Sequence, residues 1–293
     1  MAETTAADLY APEVWEDLAQ ASFSGNTVLF NAAVSSNTLV GKPGDTVTFP
    51  KWSNLGELDD LTELVPIVPE KLTQSAGKAV IKEAGKGVEI SDTAQLVGLG
   101  NAQDEAIRQF GVLSSRKFDT DLYATATATQ VGGIEYADGS VSTDSAPLSF
   151  YAGTGANIGW DNLIDAFGVY GDDFEADEFS GLYINSTDRS AIMKDPTFIS
   201  ASQGSGTNGV VNRGLIGDIN GLNVFVTNRV EAGKSLAIKR GALGVLYKRR
   251  PIVEQDRDIL KRANVVTTNV HYATKRLNDD GVLVINWNAT APV

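Results

Sequence analysis

The clearest hydrophobic pattern in the chain lies in residues 101–130 and predicts one long amphipathic helix. Its apolar stripe consists of Ala106, Phe110, Leu113, Phe118 and Leu122, with a one-residue slip before Phe118. Asn101 can cap the first turn, in which Asp104 and Glu105 suit the helix dipole. No Gly or Pro interrupts residues 112–130, so at about 1.5 Å per residue we expect a rod of about 40 Å.

Residues 41–92 predict a long two-armed hairpin. Strand-like alternation follows a turn cluster at 41–45 and returns over residues 78–90. The loop between the arms carries the acids Glu57, Asp59, Asp60, Glu63 and Glu70, and the returning arm carries Lys71, Lys78, Lys82 and Lys86. The last three lysines would share one face of a strand. Because so long a hairpin buries little of itself, we expect it to lie across another surface, on its own body or on a neighbour. A solvated hairpin is the alternative.

The remaining patterns complete an α+β chain. Residues 10–40 predict an arm with a short amphipathic helix marked by Val14, Leu18 and Ala21. Residues 157–230 predict a compact lobe. Its first helix has an apolar face of Trp160, Leu163, Ile164, Phe167 and Tyr170, and a buried strand follows at 182–184. A second helix, capped by Ser186 or Thr187, would run through Lys194. Residues 236–287 are strand-rich, and Asn278 to Gly281 predict a hairpin turn between the last two strands.

Charge is distributed unevenly along the 293 residues, and this distribution indicates which partners the protein can bind. The net charge is −13, but residues 231–293 carry eleven Lys and Arg against six acids, whereas residues 1–230 carry thirteen against thirty-one. Such polarity suits a protein that packs against copies of itself, acidic surface to basic surface. The acidic excess argues against a protein that coats nucleic acid, because that requires a basic surface.

Candidate chemistry is sparse, and we expect neither an enzyme nor a cofactor or metal site. The chain has no cysteine, and its one histidine, His271, is expected to be a packed or surface residue. An acidic cluster spans residues 172–178, but it lacks the spacing and central glycine of a calcium loop and is interpreted as a solvated loop. The chain also shows no apolar run that predicts a membrane helix, and its start lacks the order of a secretory signal.

Four short motifs, in this order along the chain, resemble the major capsid proteins of tailed bacteriophages, which have the Hong Kong 97-type fold. They are Gly41-x-x-Gly44-Asp45-Thr46-Val47-x-Phe49-Pro50, Gly85-Lys86-x-Val88-Glu89-Ile90-x-Asp92, Gly214-x-Ile216-Gly217-x-Ile219-x-Gly221-x-x-Val224 and Glu254-x-Asp256-Arg257-Asp258-Ile259. The order of the predicted elements, an arm, a hairpin, a long helix, a lobe and returning strands, also resembles that family.

The resemblance implies a division of the chain. Residues 1–40 would be the N-arm, 41–92 the extended E-loop, and 93–156 the peripheral domain with its spine helix at 101–130. Residues 157–235 would be the axial domain, and 236–293 would return to complete the peripheral sheet. Candidate inter-subunit contacts are Glu57, Asp59, Asp60, Glu63, Lys71, Lys78, Lys82, Lys86, Lys248, Arg249 and Arg250. For the last three, pairing with acids of the same or a neighbouring chain is expected, and contact with phosphate is the alternative.

The resemblance also implies a role and partners. The chain would assemble into hexamers and pentamers of an icosahedral virion capsid, in the cytoplasm of a bacterial host, around double-stranded DNA that it does not read. Expected partners are copies of itself, a scaffolding protein or a removed N-terminal segment, a portal and a decoration protein, with no membrane. Some relatives join hairpin lysines to neighbouring asparagines, and here Lys71 and Lys78 lie in that region. The alternatives are a nanocompartment shell resembling encapsulins and, less favoured, a carbohydrate-active or adhesive surface protein.

Overall fold

The structure is a computed structural model. It describes residues 28–37, 46–52, 74–98, 100–129, 134–136, 146–195 and 218–290, with positions 40, 44, 60, 66, 67 and 69. At 47–52, 74–78, 134–136 and 218 it describes the backbone alone. The predicted helix around Val14 to Ala21 lies outside these residues. No helix in the described ranges is long and apolar enough to cross a membrane.

The described elements are four α-helices and thirteen strands. The helices are α1 (Asp92–Val97), α2 (Ala102–Thr127), α3 (Trp160–Phe167) and α4 (Ser186–Ile192). The strands are β1 (Ala33–Ser36), β2 (Thr46–Trp52), β3 (Gln74–Val80), β4 (Lys82–Ser91), β5 (Ile134–Tyr136), β6 (Leu148–Tyr151), β7 (Phe179–Ile184), β8 (Asp218–Ile219), β9 (Leu222–Val226), β10 (Lys234–Lys239), β11 (Leu243–Asp258), β12 (Ala263–Arg276) and β13 (Val282–Asn286). Short 3-10 helices lie at Leu29–Ala32, Gly168–Asp173 and Ala176–Glu178.

Helix α2 confirms the predicted long helix. Asn101 caps it, and its side-chain oxygen accepts hydrogen bonds from the backbone N–H groups of Gln103 at 3.1 Å and Asp104 at 3.5 Å. The apolar stripe is buried at Ala106, Phe110, Phe118 and Leu122. The prediction is wrong for Leu113, whose side chain is 42% exposed. After the one-residue slip the buried face turns around the helix, and this leaves Leu113 on the flank.

A four-stranded sheet in the order β1-β11-β12-β4 supports α2. Strand β1 runs parallel to β11, whereas β11–β12 and β12–β4 are antiparallel. The Phe118 ring lies 4.4 Å from the ring of Tyr272 on β12 and 5.8 Å from that of Tyr247 on β11. Helix and sheet therefore share one aromatic core, to which the buried Leu29 also belongs.

The predicted hairpin is confirmed in part. Strands β2 and β3 pair antiparallel from Thr46 opposite Val80 to Trp52 opposite Gln74, and β5 adds a third strand beside β3. The expected extension to residue 92 is wrong, because β4 leaves the hairpin and pairs with β12 along its whole length. That pairing buries Ile90 in the body. The three lysines predicted to share one face of a single strand therefore lie on two strands, Lys78 on β3 and Lys82 and Lys86 on β4.

A six-stranded sheet in the order β6-β13-β10-β7-β9-β8 forms the centre of the lobe. The pairs β6–β13 and β7–β9 are parallel, and the others are antiparallel. Leu182 and Ile184 of β7 share an apolar cluster with Leu163 and Phe167 of α3, whereas Tyr183 joins the core beneath α2. The sheet thus has a core on each face, because successive strand residues point to opposite sides.

The lobe contains both predicted helices, with three corrections: the cap of α4, its last residue and one position on α3. The cap of α4 is Asn185, whose side-chain oxygen accepts the N–H of Thr187 at 3.0 Å, and not Ser186 or Thr187. The helix ends at Ile192, and a turn continues through Lys194. On α3, the predicted buried face is exposed at Ile164.

The C-terminal strands correct the predicted topology. Strands β10 and β13 pair with each other inside the six-stranded sheet, so the segment 236–293 divides between two sheets and does not all return to the sheet under α2. Residues 278–281 form a turn, but β12 and β13 lie in different sheets, so the hairpin prediction is wrong. The N–H of Leu277 donates to Ala242 O at 2.7 Å, and this contact directs the chain from one sheet to the other.

Candidate subunit-contact surfaces

Lys82, predicted to contact a neighbouring molecule, is bound within its own chain. Its ammonium lies 2.8 Å from Asp121 Oδ2 on α2 and 5.2 Å from the centre of the Tyr272 ring. Lys117 reaches the other carboxylate oxygen of Asp121 at 3.0 Å, and the Tyr272 hydroxyl also donates to this carboxylate. Lys82 therefore fastens the foot of the hairpin to α2.

The electrostatics of this cluster follow from its burial and hydrogen bonds. Burial opposes ionisation of Asp121, but hydrogen bonds from Lys82, Tyr272 and Lys117 outweigh it and lower the pKa of the carboxyl. Burial and the adjacent carboxylate both raise the pKa of Tyr272. Asp121 is thus a carboxylate and Tyr272 a neutral donor at neutral pH.

Lys86 is exposed on the same face of β4 as Lys82. It lies at the rim of a groove of about 430 Å³ between β4 and α2, which Leu113, Phe118 and Val270 also line. Lys117, which is paired with Asp121, and the acidic Glu83 also line this groove. The groove therefore has an apolar floor and charges of both signs around it, of which Lys86 is an exposed cation.

Two side chains of the basic run at residues 248–250 contact the segment between β1 and β2. Lys248 donates to the backbone oxygen of Gly44, beside the foot of the hairpin. Arg249 pairs with Glu254 at 3.1 Å, which is the expected pairing with an acid of the same chain. Arg250 donates to Asn37 Oδ1 at 3.3 Å and lies 5.9 Å from the centre of the Tyr247 ring. All three side chains remain close to the surface.

The other candidate contacts lie at or beyond the edge of what the structure describes. Glu57, Asp59, Glu63 and Lys71 lie outside the described residues, and Lys78 is described by its backbone alone. Asp60 is described and exposed. The acidic loop of the hairpin therefore remains a prediction from the sequence.

The acidic cluster at 172–178 surrounds a cleft of about 410 Å³ that also contains Lys239 and Asp280. Lys239 pairs with Glu178 at 2.7 Å and lies 5.1 Å from the centre of the Tyr170 ring. No group of three or more His or acidic side chains arranged to hold a metal occurs among the described residues. His271 is partly exposed, with Nε2 lying 3.6 Å from a carboxylate oxygen of Glu83.

Sequence reasoning missed an apolar tip on the β11–β12 hairpin. Ile259 is 79% exposed and Leu260 is 95% exposed in the turn between the two strands. Leu96, also exposed, lies on the adjacent α1, which Arg257 joins through an ion pair to Asp92 at 2.8 Å. Two adjacent large apolar residues between charged neighbours were the available signal, because exposed apolar clusters mark interaction sites.

Two buried charged side chains also escaped prediction, because the backbone groups that they bind are distant in sequence. Asp119 on α2 is buried and accepts the N–H groups of Val28 at 2.9 Å and Phe30 at 3.2 Å. Arg276 is fully buried, pairs with Asp279 at 2.6 Å and donates to the carbonyl oxygens of Ala126 and Ala128. The first contact fixes the start of the described chain, and the second fixes the end of α2.

Comparison with known proteins shows which family the chain belongs to. Residues 75–285 match the model of a family described as phage capsid protein. A major capsid protein of Staphylococcus phage phiMR11 is 27% identical over 261 residues, which are 89% of this chain and 87% of that one. The capsid structure of cyanophage P-SCSP1u matches with a TM-score of 0.71 at 13% identity, over 94% of this chain and 92% of the other. The mature capsid of bacteriophage PhiM1 matches with a TM-score of 0.69 at 12% identity, over 96% and 93%. The predicted α+β fold of the Hong Kong 97 type is confirmed, and the chain belongs to the phage capsid protein family.

Proposed function

We propose that the chain is the major capsid protein of a tailed phage, whose copies assemble into hexamers and pentamers of an icosahedral head around double-stranded DNA. The observation that carries the proposal is the match of residues 75–285 to the capsid family, together with a hairpin that has a small sheet of its own. The role is structural, and the proposal assigns no catalytic residue, cofactor or metal. Assembly in the host cytoplasm and contacts with scaffolding, portal and decoration proteins belong to the same proposal.

The division into domains is part of the proposal. The four-stranded sheet with α2 corresponds to the peripheral domain, and the six-stranded sheet with α3 and α4 corresponds to the axial domain. Strands β10 and β13 then count as axial, because they pair inside the six-stranded sheet. The hairpin of β2 and β3 corresponds to the E-loop, and the residues before β1 to the N-arm.

The hairpin contacts are proposed to join different copies. The acids at Glu57, Asp59, Asp60 and Glu63 of one copy would meet basic side chains on another, of which Lys86 and Arg249 lie at the described surface. Surface ion pairs are individually weak, each about 0 to 1 kcal/mol. A shell repeats the same pair in every subunit contact, and this repetition lets weak contacts specify an assembly.

Electron microscopy of the purified protein, incubated over a range of salt and protein concentrations, tests the main proposal. We expect hexamers, pentamers or closed shells. A stable monomer under every condition, together with its absence from phage particles, would overturn the proposal. Double-stranded DNA inside native particles distinguishes a phage head from a nanocompartment that encloses protein.

A charge exchange tests the hairpin contact. The change Lys86→Glu, or the pair Glu57→Lys and Asp59→Lys, is expected to reduce shell yield, whereas the triple variant recovers part of it. Lys194→Glu, a surface change on the lobe, serves as the control. If the single and combined variants assemble as well as the parent, the hairpin does not use these charges. A denaturing gel of mature particles tests the lysine crosslink, and a single band near 31.1 kDa would exclude it.

A further inference from the structure

The acidic residues at 172–178 lie beside a cleft at one end of the six-stranded sheet. The cleft lies where β6, β7 and β13 begin and where β10 ends. Its lining includes Lys239, Tyr170 and five exposed acids, Asp172, Asp173, Glu175, Glu178 and Asp280. Lys239 is paired with Glu178 at 2.7 Å, so it offsets one of these negative charges and leaves the others in excess. We call this surface the acidic cleft.

Tyr170 gives a second and independent indication of a ligand at the acidic cleft. Its side chain is 8% exposed, and its hydroxyl has no hydrogen-bond partner within the described part of the chain. Burial and the charge of Asp280 both raise the pKa of Tyr170, so the hydroxyl is neutral and lies within the field of a cleft acid. A buried hydroxyl without a partner is unfavourable, and a donor from outside the chain would satisfy it.

The lining of the acidic cleft favours a cation that carries several hydrogen-bond donors. Ionised carboxylates only accept hydrogen bonds, and the Tyr170 hydroxyl can accept one more. Among the described residues, no three His or acidic side chains are arranged to hold a metal ion. A guanidinium group has five N–H donors in one plane and a permanent charge, so it can bind carboxylates and a hydroxyl together. The acidic cleft therefore suits an arginine side chain.

An exposed arginine, Arg229, lies at the opposite end of the same sheet. Strand β7 begins beside the acidic cleft, directly after Glu178, and at its other end Asn185 donates to Val230 O at 2.6 Å. Arg229 is the residue before Val230, in the loop between β9 and β10. The six residues of β7 separate the two ends by about 20 Å at about 3.3 Å per residue. Arg229 therefore cannot reach the acidic cleft of its own chain.

We infer that the acidic cleft of one copy binds the guanidinium group of Arg229 from a second copy, so that the lobes of neighbouring subunits pack head to tail. Complementary charges at opposite ends of one lobe favour this arrangement. A contact between two different surfaces of the same chain leads from each copy to the next and closes into a ring when the rotation allows. The inference rests on the proposed assembly into hexamers and pentamers, and it assigns the contact that joins lobes within each ring.

A charge exchange tests the contact. Arg229→Asp and Asp172→Arg are each expected to lower the yield of shells at least about threefold, the scale of one surface ion pair, and the double variant should recover most of it. Asp161→Arg is the matched control, because Asp161 is an exposed acid at the start of α3, outside the acidic cleft. The urea unfolding midpoint of each unassembled variant establishes that it folds. Equal shell yields for the parent and both single variants would overturn the inference.

Tyr170→Phe separates a role in assembly from a role in folding. The hydroxyl has no partner among the described residues, so its removal should leave the urea midpoint of the unassembled chain unchanged or raised. If the hydroxyl accepts a hydrogen bond from Arg229 of the next copy, the same variant should lower the shell yield. An unchanged yield would overturn the part assigned to Tyr170 in the contact.

Cysteine crosslinking identifies the two surfaces that meet, because the native chain has no cysteine. The variant with both Asp172→Cys and Arg229→Cys, assembled and treated with a bismaleimide, is expected to give a ladder of chain multiples on a denaturing gel, ending at the pentamer and hexamer. Each single variant has one thiol and can give at most a dimer. Shells that form without a ladder in the double variant would overturn the inference and leave the proposed function standing. A parent protein that forms no rings or shells at all would overturn both.

Discussion

Lys82 extends from the foot of the hairpin to α2, where its ammonium lies 2.8 Å from Oδ2 of Asp121. The same carboxylate accepts the Tyr272 hydroxyl from the sheet and the Lys117 ammonium from α2 itself. One carboxylate therefore joins the start of β4, the long helix and β12. Lys82 follows directly after the hairpin strand β3, so this contact, together with that of Lys248 with the backbone oxygen of Gly44, holds the foot of the hairpin against the body.

Replacing that carboxylate tests its role. Asp121→Ala leaves the buried Tyr272 hydroxyl without its acceptor and removes the partner of both lysines. We expect the free energy of unfolding to fall by about 2 kcal/mol, since the exposed lysines discount the ionic part. Urea denaturation followed by circular dichroism measures the change. Glu105→Ala, which removes exposed contacts with Arg108 and Gln109 in the first turn of α2, is the control and should change the free energy of unfolding by less than about 0.5 kcal/mol.

The pH dependence of stability provides an independent measure of the same cluster. The pKa of Asp121 is lowered in the folded chain, so its contribution is fully present above the unfolded value of about 3.9 and is lost as pH falls through the folded pKa. We expect Asp121→Asn to flatten the loss of stability in that acidic range. Equal slopes for the variant and the parent below about pH 4 would contradict this assignment.

Features that depend on neighbouring residues could be predicted from the sequence, whereas features that depend on contacts between residues far apart in the chain could not. Helix α2, the Asn101 cap and the β2–β3 pairing follow from local spacing, and each was correctly predicted. The partner of Lys82 could not be predicted, because Asp121 lies far along the chain and only packing brings them together. The same reason explains why the pairing of β13 was not predicted. The turn before β13 is local in sequence, but its neighbours β6 and β10 come from distant parts of the chain and are brought together by the packing of the six-stranded sheet. Leu113 was misplaced because a one-residue slip in the stripe changes which flank is buried.

Arg276 should be among the most sensitive positions in the chain. It is fully buried, pairs with Asp279 and donates to the last carbonyl oxygens of α2, where a positive charge suits the helix dipole. We expect Arg276→Ala to destabilise the fold by about 3 to 5 kcal/mol, because it leaves a buried acid and helix carbonyls without a partner. Thermal and urea unfolding measure the loss. Arg276→Lys keeps the charge without the planar fork, so it should be intermediate, and a variant as stable as the parent would show that the carbonyls are satisfied otherwise.

The pKa of Asp188 is raised in the folded chain, whereas that of Asp121 is lowered. The Asp188 carboxyl is buried at the start of α4, burial raises its pKa, and one oxygen has no hydrogen-bond partner within the described part of the chain. The stability that goes with a raised pKa is present below about pH 3.9 and is lost as pH rises through the folded pKa. Asp188→Asn should therefore stabilise the protein at pH 8 by about 1 kcal/mol, with a smaller gain at low pH. Urea titrations at both pH values check the sign, and destabilisation at pH 8 would mean that the charged form is required.

The apolar tip at Ile259 and Leu260 gives a prediction that separates folding from assembly. Leu260 is 95% exposed, so Leu260→Asp removes little buried surface and should change the free energy of unfolding by less than about 0.5 kcal/mol. If the tip packs against another copy, the buried charge should strongly reduce the fraction of protein that sediments as shells in a sucrose gradient. Ile164→Asp provides the matched control, since Ile164 is an exposed apolar residue on the lobe, away from the tip. Normal shell yield for Leu260→Asp would show that the tip faces solvent in the assembled particle, whereas a lowered urea midpoint would show that the defect lies in folding and not in assembly.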